Sequence, residues 1–289
     1  MTRIAQLTDL HLLEEGHDRR PADERVRLRF LSFGRRLDAG ARRRRALTAI
    51  DRALRLGADH LLLTGDLTED GSPAQFEVLA QVIEDSGIAP ERVTLTPGNH
   101  DAYSSHTAFR RALEGPLRPF RRTSGAAAAV DLGEAVVVPL STAMHQPPTR
   151  SAGSLEPLGV AKLRAVAQAP STRHKALVAA LHHPPSPWVL PVVQWVDGLQ
   201  NPQPLLELLA THDRLHAVHG HIHREVDRRV PGSERRRVFS AQAVVDGRIP
   251  LRIYDACEGR LVPCEIDSDR TSAPARSMAR PPIGAMTPA

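Results

Sequence analysis

Short runs of Ile, Leu, Val and Ala punctuate this chain, and most of them stop abruptly at a polar cluster. Ile4-Ala5-Gln6-Leu7, His60-Leu61-Leu62-Leu63, Val93-Thr94-Leu95, Ala176 to Leu181 and Leu215 to Val218 all read as buried strands. Between them the apolar residues change to helical spacing. Ala46, Leu47, Ile50, Ala53 and Leu54 share one face, with Gly57 as the helix end. Ser72-Pro73 starts a second helix that uses Phe76, Leu79, Ala80 and Ile83 and closes at Gly87. Further helices are predicted at 157–168 and at Leu205 to Leu209. Strand–helix–strand alternation of this kind predicts βαβ units and a largely parallel sheet.

The pattern changes in three places. Residues 126–140 are rich in Ala and Val around a Gly133-Glu134 turn, which predicts a hairpin and a second sheet; strands near 237–245, 250–254 and 261–266 complete the chain. Residues 14–40 read as an irregular, charge-rich insertion carrying Phe30, Leu31 and Phe33, suited to a lid, a partner-binding wing or a tolerated surface excursion. Beyond Asp267 the sequence is Ser, Arg, Pro and Ala with almost no core formers, so 267–289 is expected to be a disordered tail on a single domain spanning 1–266.

Composition narrows the class. With 289 residues the chain can bury a large α/β core, and an aromatic content of 3% means that aliphatic side chains must fill it. The net charge of +5 is carried almost wholly by Arg, with Lys only at Lys162 and Lys175; acidic residues are nearly as numerous, so a dedicated polyanion face is not required. Arg42 to Arg45 are expected to form a solvated helix face. Two cysteines, Cys257 and Cys264, make no Cys-x-x-Cys pair, and no apolar stretch is long enough to span a bilayer or serve as a signal core. A soluble, cytoplasmic protein with no membrane partner is expected.

The chemistry sits in the polar clusters. They are Asp9-Leu10-His11, Gly65-Asp66, Gly98-Asn99-His100-Asp101, His182-His183-Pro184 and Gly220-His221-Ile222-His223. A carboxylate can bridge two cations, an imidazole fills one position on one metal, and Asn offers a neutral carbonyl oxygen. That mixture suits borderline divalent ions such as Mn, Fe or Zn better than an all-oxygen or all-thiolate site. Two such ions roughly 3.5–4 Å apart clamp a phosphoryl group and lower the pKa of bound water from ~15.7 towards ~7. Gly65, Gly98 and Gly220 fit sharp turns at strand ends, where ligands bind in open α/β sheets.

In this order the five clusters resemble the calcineurin-like metallophosphoesterases, over roughly residues 1 to 265. The resemblance implies a four-layer α/β sandwich of two mixed sheets flanked by helices. It implies that Asp9, His11, Asp66 and His223 hold one metal, with Asp66 bridging to a second held by Asn99, His182 and His221. A metal-bridging hydroxide would attack phosphorus in line, and His100 would stabilise the developing charge or protonate the leaving oxygen. Of the histidine pair, the His-x-Pro spacing favours His182 as ligand, with His183 then supporting the ligands from behind or contacting substrate. Asp101 is expected to support the local turn, and His219 to be a packed histidine.

Departures within the family narrow the branch. Glu69 stands where purple acid phosphatases carry a tyrosine ligand, and Leu67-Thr68-Glu69-Asp70 replaces the Val-Asp-Arg-Gly of protein phosphatases. Gly65-Asp66-Leu67-Thr68 with Gly98-Asn99-His100-Asp101 is similar to the bacterial branch that includes class III cyclic-nucleotide phosphodiesterases. A dimetal hydrolase of small phosphodiesters or phosphomonoesters, cyclic nucleotides among them, is therefore the leading expectation. A metallonuclease acting on DNA or RNA is the alternative, although stacking aromatics are scarce. A catalytically inactive scaffold of the same fold is a third reading, against which the complete ligand set counts. Metal identity, substrate and oligomeric state are not encoded in any motif.

Overall fold

Eleven strands form two sheets in the computed structural model, which describes residues 1–230, 233, 235–246 and 251–266. The expected tail at 267–289 lies outside the described residues. The first sheet contains β1 (Thr2–Leu7), β2 (His60–Thr64), β3 (Val93–Thr96), β10 (Arg252–Cys257) and β11 (Arg260–Cys264), in the order β11-β10-β1-β2-β3. The second contains β4 (Val130–Asp131), β5 (Ala135–Pro139), β6 (Ala176–Ala180), β7 (Leu215–His219), β8 (Val226–Arg229) and β9 (Arg236–Ser240), in the order β4-β5-β6-β7-β9-β8. Both sheets are mixed. β1, β2 and β3 run parallel, as do β5, β6, β7 and β9, whereas β10, β11, β4 and β8 pair antiparallel.

Helices cover the outer faces. α1 (Ala22–Leu31), α2 (Ala39–Arg55), α3 (Pro73–Asp85), α4 (Ala108–Glu114) and α5 (Arg121–Ser124) belong to the first half of the chain, and α6 (Pro157–Gln168), α7 (Pro191–Asp197) and α8 (Gln203–Thr211) to the second. Strand alternation sorts the side chains into three apolar layers. Ala5, Leu7, Leu61 and Leu63 face α2 and α3, where Ile50, Phe76 and Leu79 meet them. Val136, Val138, Leu177 and Ala179 face α6 and α8 through Leu163, Leu205 and Leu209. The layer between the sheets takes the opposite set, Ile4 and Leu62 against Ala135, Val137, Ala176, Val178, Ala180 and Val218. The four-layer α/β sandwich is thus the fold.

Small residues dominate that middle layer on the second sheet's side, and polar links cross it, among them one through Gln6. Gln6 Nε2 donates to Thr64 Oγ1 and to the His219 carbonyl, at 2.8 and 2.6 Å, and Tyr254 Oη donates to Gln6 Oε1 at 2.7 Å. Every buried polar atom of this glutamine is used, which offsets its removal from water.

Three expectations need correction. The 14–40 segment is not irregular: α1 fills its middle and α2 begins inside it, at Ala39. α1 buries only Leu28 and Leu31, too thin a stripe to show as helical periodicity in so charged a sequence. The strand near 237–245 ends at Ser240. Ala243, Val244 and Val245 are apolar because they form a buried loop, whose Val244 and Val245 amides donate to the carbonyls of Thr8 and Asp9. Arg42 is not solvated, being 2% exposed. Helices α4 and α7 had no sequence signal.

The crowded middle layer is sensitive to volume. Ala180→Leu, pointing between the sheets at 1% exposure, is expected to destabilise the fold by about 1–3 kcal/mol through overpacking. Urea denaturation monitored by circular dichroism measures it.

Candidate metal centre

Five parallel strands end at one rim, and each delivers a polar cluster there. β1 leads to Asp9 and His11, β2 to Asp66, β3 to Asn99 and His100, β6 to His182, and β7 to His221 and His223. The backbone at this rim is unusual. Among the described residues, seven non-glycine positions have positive φ, and five are Asp9, His11, Asp66, His221 and His223, with φ between 47° and 71°. Left-handed backbone costs an L-residue free energy and persists where its surroundings impose it. Here the loops are tied together: Asp9 N donates to the Gly65 carbonyl, His11 N to Asp66, and Gly220 N to His182, at 3.1, 2.9 and 3.0 Å.

Asp101 is the strongest of these ties. Its fully buried carboxylate accepts from the amides of Gly98, Leu67 and Thr68 and from Thr68 Oγ1, at 2.8, 3.1, 2.9 and 2.6 Å. The expected turn-supporting role is therefore wider, since this one side chain joins the loops after β2 and β3. Glycine is required beside it on steric grounds. A Cβ at Gly98 would strike the Asp66 carboxylate, and one at Gly220 would strike Thr8 and Asp9.

The ligand-type atoms converge. Oxygen and nitrogen atoms of Asp9, His11 and His223 lie within 4.8 Å of one another, as do those of Asp9, Asp66 and His182, of His11, Asp66 and His100, and of His182, His183 and His221. Asp66 sits at the centre. Its Oδ1 accepts from the His100 amide at 2.9 Å, and its Oδ2 lies 3.3, 3.8 and 3.9 Å from Nε2 of His182, His11 and His100. Asp9 Oδ2 is held by Thr8 Oγ1 and the His221 amide, while Oδ1 lies 3.3 Å from His223 Nε2. Asn99 points its amide nitrogen at Tyr103 Oη, 3.1 Å away, which turns its carbonyl oxygen towards the cluster.

Three of the histidines, His182, His221 and His223, are gripped on their other side. His182 Nδ1 donates to the Thr64 carbonyl at 2.9 Å, and His221 Nε2 faces Asp197 Oδ1 at 3.0 Å. His223 Nδ1 meets Asp246 Oδ2 at 2.6 Å. Such partners fix a ring's tautomer and orientation and leave the remaining nitrogen free to coordinate. His183 differs: Thr142 Oγ1 and the Ser151 carbonyl occupy its two nitrogens, at 2.8 and 2.8 Å. His219 is packed as expected, its Nδ1 at 2.9 Å from the Gly220 carbonyl. Asp197 and Asp246 were not found from sequence, because each lies in a segment with no motif and acts only through the chain's folding.

Residues 2–225 match the model of one family, the calcineurin-like phosphoesterases. The chain belongs to that family. Calcineurin-like phosphoesterases similar to it include a 3′,5′-cyclic adenosine monophosphate phosphodiesterase of Pseudomonas aeruginosa, 32% identical over 70% of this chain and 72% of that protein. Another is a 3′,5′-cyclic-nucleotide phosphodiesterase of a Nostoc species, 30% identical over 78% of this chain and 73% of its own length. Among solved structures, a dimetal phosphatase of Danio rerio superposes with a TM-score of 0.65 over 89% of this chain and 93% of that one, at 12% identity, which supports the fold alone.

The calcineurin-like fold implies a dinuclear divalent-metal site, and the donor set here fits one. Buried Asp9 Oδ1, Asn99 Oδ1, His182 Nε2 and both ring nitrogens of His11 have no hydrogen-bond partner of good geometry. Orphaned atoms of this kind are costly in a native interior and call for an occupant. Electrostatics agree. Burial opposes ionisation of His182, but Asp66 beside it overrides burial and pushes it up to about 9; Asp9 and Asp246 similarly push His223 up to about 10. Asp66 and Asp9, resisting burial through the same histidines, lie below the usual carboxylate range. Burial and the neighbouring His100 hold His11 down at about 4. Without metal, therefore, His182 and His223 are cations set against Asp66 and Asp9.

A metal held by His182 and His223 would have to expel those protons. Uptake of Mn(II) at pH 7 is expected to release protons from His182 and His223, seen as a buffer-dependent heat in titration calorimetry. Stability carries the same sign. Both histidines are raised above their ordinary value of about 6.5, so their ion pairs contribute fully below it and are lost as pH climbs through 9 to 10. The melting temperature of chelator-treated protein should fall across that window, and that of metal-loaded protein should not.

Proposed function

We propose that this protein is a dimetal phosphodiesterase of small phosphodiesters, with 3′,5′-cyclic nucleotides as its substrate class. The carrying observation is the set of unpartnered, buried donor atoms on Asp9, His11, Asn99 and His182 around a fully ringed Asp66. In this reading Asp9, His11, Asp66 and His223 hold one divalent ion, and Asp66, Asn99, His182 and His221 hold the other. When bound, the ions supply Lewis-acid polarisation of the phosphoryl oxygens and a water activated for attack at neutral pH. The substrate class rests on the two bacterial relatives named for cyclic-nucleotide phosphodiesterase activity. The two unpaired cysteines fit a reducing, cytoplasmic setting, and no helix among the described residues is long and apolar enough to cross a membrane.

His100 has a separate task. Its Nδ1 donates to the Glu69 carbonyl at 2.7 Å, so its Nε2 is the nitrogen turned towards Asp66 and the site. Its ring stands edge-on to His11 and to Tyr103, with centroids 4.5 and 5.1 Å away. A ring held this firmly can carry a proton on Nε2 and deliver it to the departing oxygen of the ester.

The test is hydrolysis of a bis-aryl phosphodiester, an aryl phosphomonoester and a panel of 3′,5′-cyclic nucleotides by Mn-loaded protein. Cyclic-nucleotide turnover at rates comparable with or above the aryl diester supports the substrate class; a wholly inert panel overturns it. Asp66→Asn is expected to lower turnover on the order of a thousandfold while leaving the circular dichroism spectrum unchanged. For His100→Gln, a fall in kcat on the order of a hundredfold is expected, smaller for the aryl diester, whose leaving group needs no proton. Equal losses on both substrates would remove the proton-donor role.

A further inference from the structure

Glu69 stands three residues after Asp66 and is fully buried, yet nothing in the motif pattern gives it a task. Its contacts do. One carboxylate oxygen accepts from Ser32 Oγ at 2.7 Å; the other accepts from Arg42 Nη1 at 2.5 Å and lies 3.1 Å from His11 Nδ1. Arg35 approaches to 3.7 Å. The main chain of the same residue works as well: its amide donates to the Leu12 carbonyl at 3.0 Å, and its carbonyl accepts from His100 Nδ1 at 2.7 Å. Glu69 thus faces the Nδ1 atoms of two histidines, one through its side chain and one through its backbone.

We propose that Glu69 is a positioning residue that sets the tautomer of His11, so that His11 presents Nε2 to the first metal, and that Ser32, Arg35 and Arg42 hold Glu69 in place. This rests on the dimetal reading above. The chemistry is a matter of donors and acceptors. A carboxylate can only accept, so its approach to 3.1 Å favours a neutral His11 with its proton on Nδ1, even though the two are not aligned as a hydrogen bond, and that tautomer leaves the Nε2 lone pair for the ion. Three groups keep the carboxylate from turning away, namely Ser32 at the end of α1, Arg35 in the following loop, and Arg42 in the first turns of α2. Arg42 also donates from Nη1 to the His11 carbonyl at 2.7 Å and from Nη2 to the Arg36 carbonyl at 3.1 Å, so it fixes the backbone of the ligand whose ring Glu69 orients. Ser32 and Arg35, in the segment read from sequence as a lid or wing, together with Arg42 just after it, are on this account a clamp on one half of the metal centre.

Glu69→Gln tests it, because the amide keeps the size but can turn a donor towards His11 Nδ1 and so favour the wrong tautomer. Metal content after dialysis against Mn(II), read by atomic emission, is the first measurement. Wild-type protein should hold two ions and Glu69→Gln about one, with first-site affinity down by about 10- to 100-fold. Histidine nitrogen–proton correlation spectra of Zn-loaded protein should show His11 as the Nδ1–H tautomer in the wild type and changed in the variant. The single substitution leaves Arg42 buried beside a neutral group, so Glu69→Gln/Arg42→Met, which removes both charges, is measured alongside it. If either folded variant keeps two ions at wild-type affinity with an unchanged His11 signal, the proposal is overturned. If both metals are lost together, it is also overturned, since the effect would then not be confined to one half of the site. Wild-type protein binding fewer than two ions would instead refute the dimetal reading.

Discussion

A carboxylate shut away from water governs this structure. Asp66 is 2% exposed and lies among three imidazoles, and isolated charge at such a position would cost far more than a fold can supply. Everything near it answers that cost. The His100 amide satisfies one of its oxygens, and the histidines face the other. Asp101, which burial and Asp66 together push up to about 6, is itself held by four donors so that it does not add an unmet charge. The same arithmetic explains why the surrounding carboxylates, Asp9, Glu69, Asp197 and Asp246, all abut imidazole nitrogens or guanidinium groups.

The geometry that makes this cluster possible is stored in the backbone. Side chains from successive strand ends can point at one spot only if the chain turns back sharply after each strand. Left-handed conformations at Asp9, His11, Asp66, His221 and His223 make those turns. Glycine would take such angles at less cost, but glycine carries no ligand. The rim therefore keeps chemically useful residues in strained positions and compensates with ties between loops, from Asp101 to the backbone pairs that join Asp9 with Gly65 and Gly220 with His182. Strain concentrated at one place in this way is what a site preorganised for binding requires.

What was legible in the sequence follows from this division. β1, β2, β3, β5, β6 and β7 could be read because they are buried almost throughout and so are nearly continuous in apolar residues, whereas exposed β8, Val226–Arg229, could not. The cluster residues could be read because they follow those strands directly and are of metal-binding type. α1 could not, since its anchorage to the site is polar: Arg20 reaches Asp70, and Ser32 reaches Glu69. Hydrophobic periodicity is blind to a helix held by hydrogen bonds. Arg42 misled for the related reason that one arginine in a run of four turns inward to a partner 27 residues away in the chain. Asp197 and Asp246 are ordinary acidic residues until folding sets them against His221 and His223.

The position of β1 has a consequence for how the protein comes into being. It lies between β2 and β10, so its two edges are satisfied by strands from opposite ends of the chain. Asp9, delivered by β1, is completed by His223, more than two hundred residues later on the other sheet. A ribosome has released Asp9, His11 and Asp66 long before it makes their partners. The emerging chain thus cannot close the ring of donor atoms around Asp66 and Asp9 until the strands of the second sheet are made. The donor cluster is complete only once the second sheet has packed against the first.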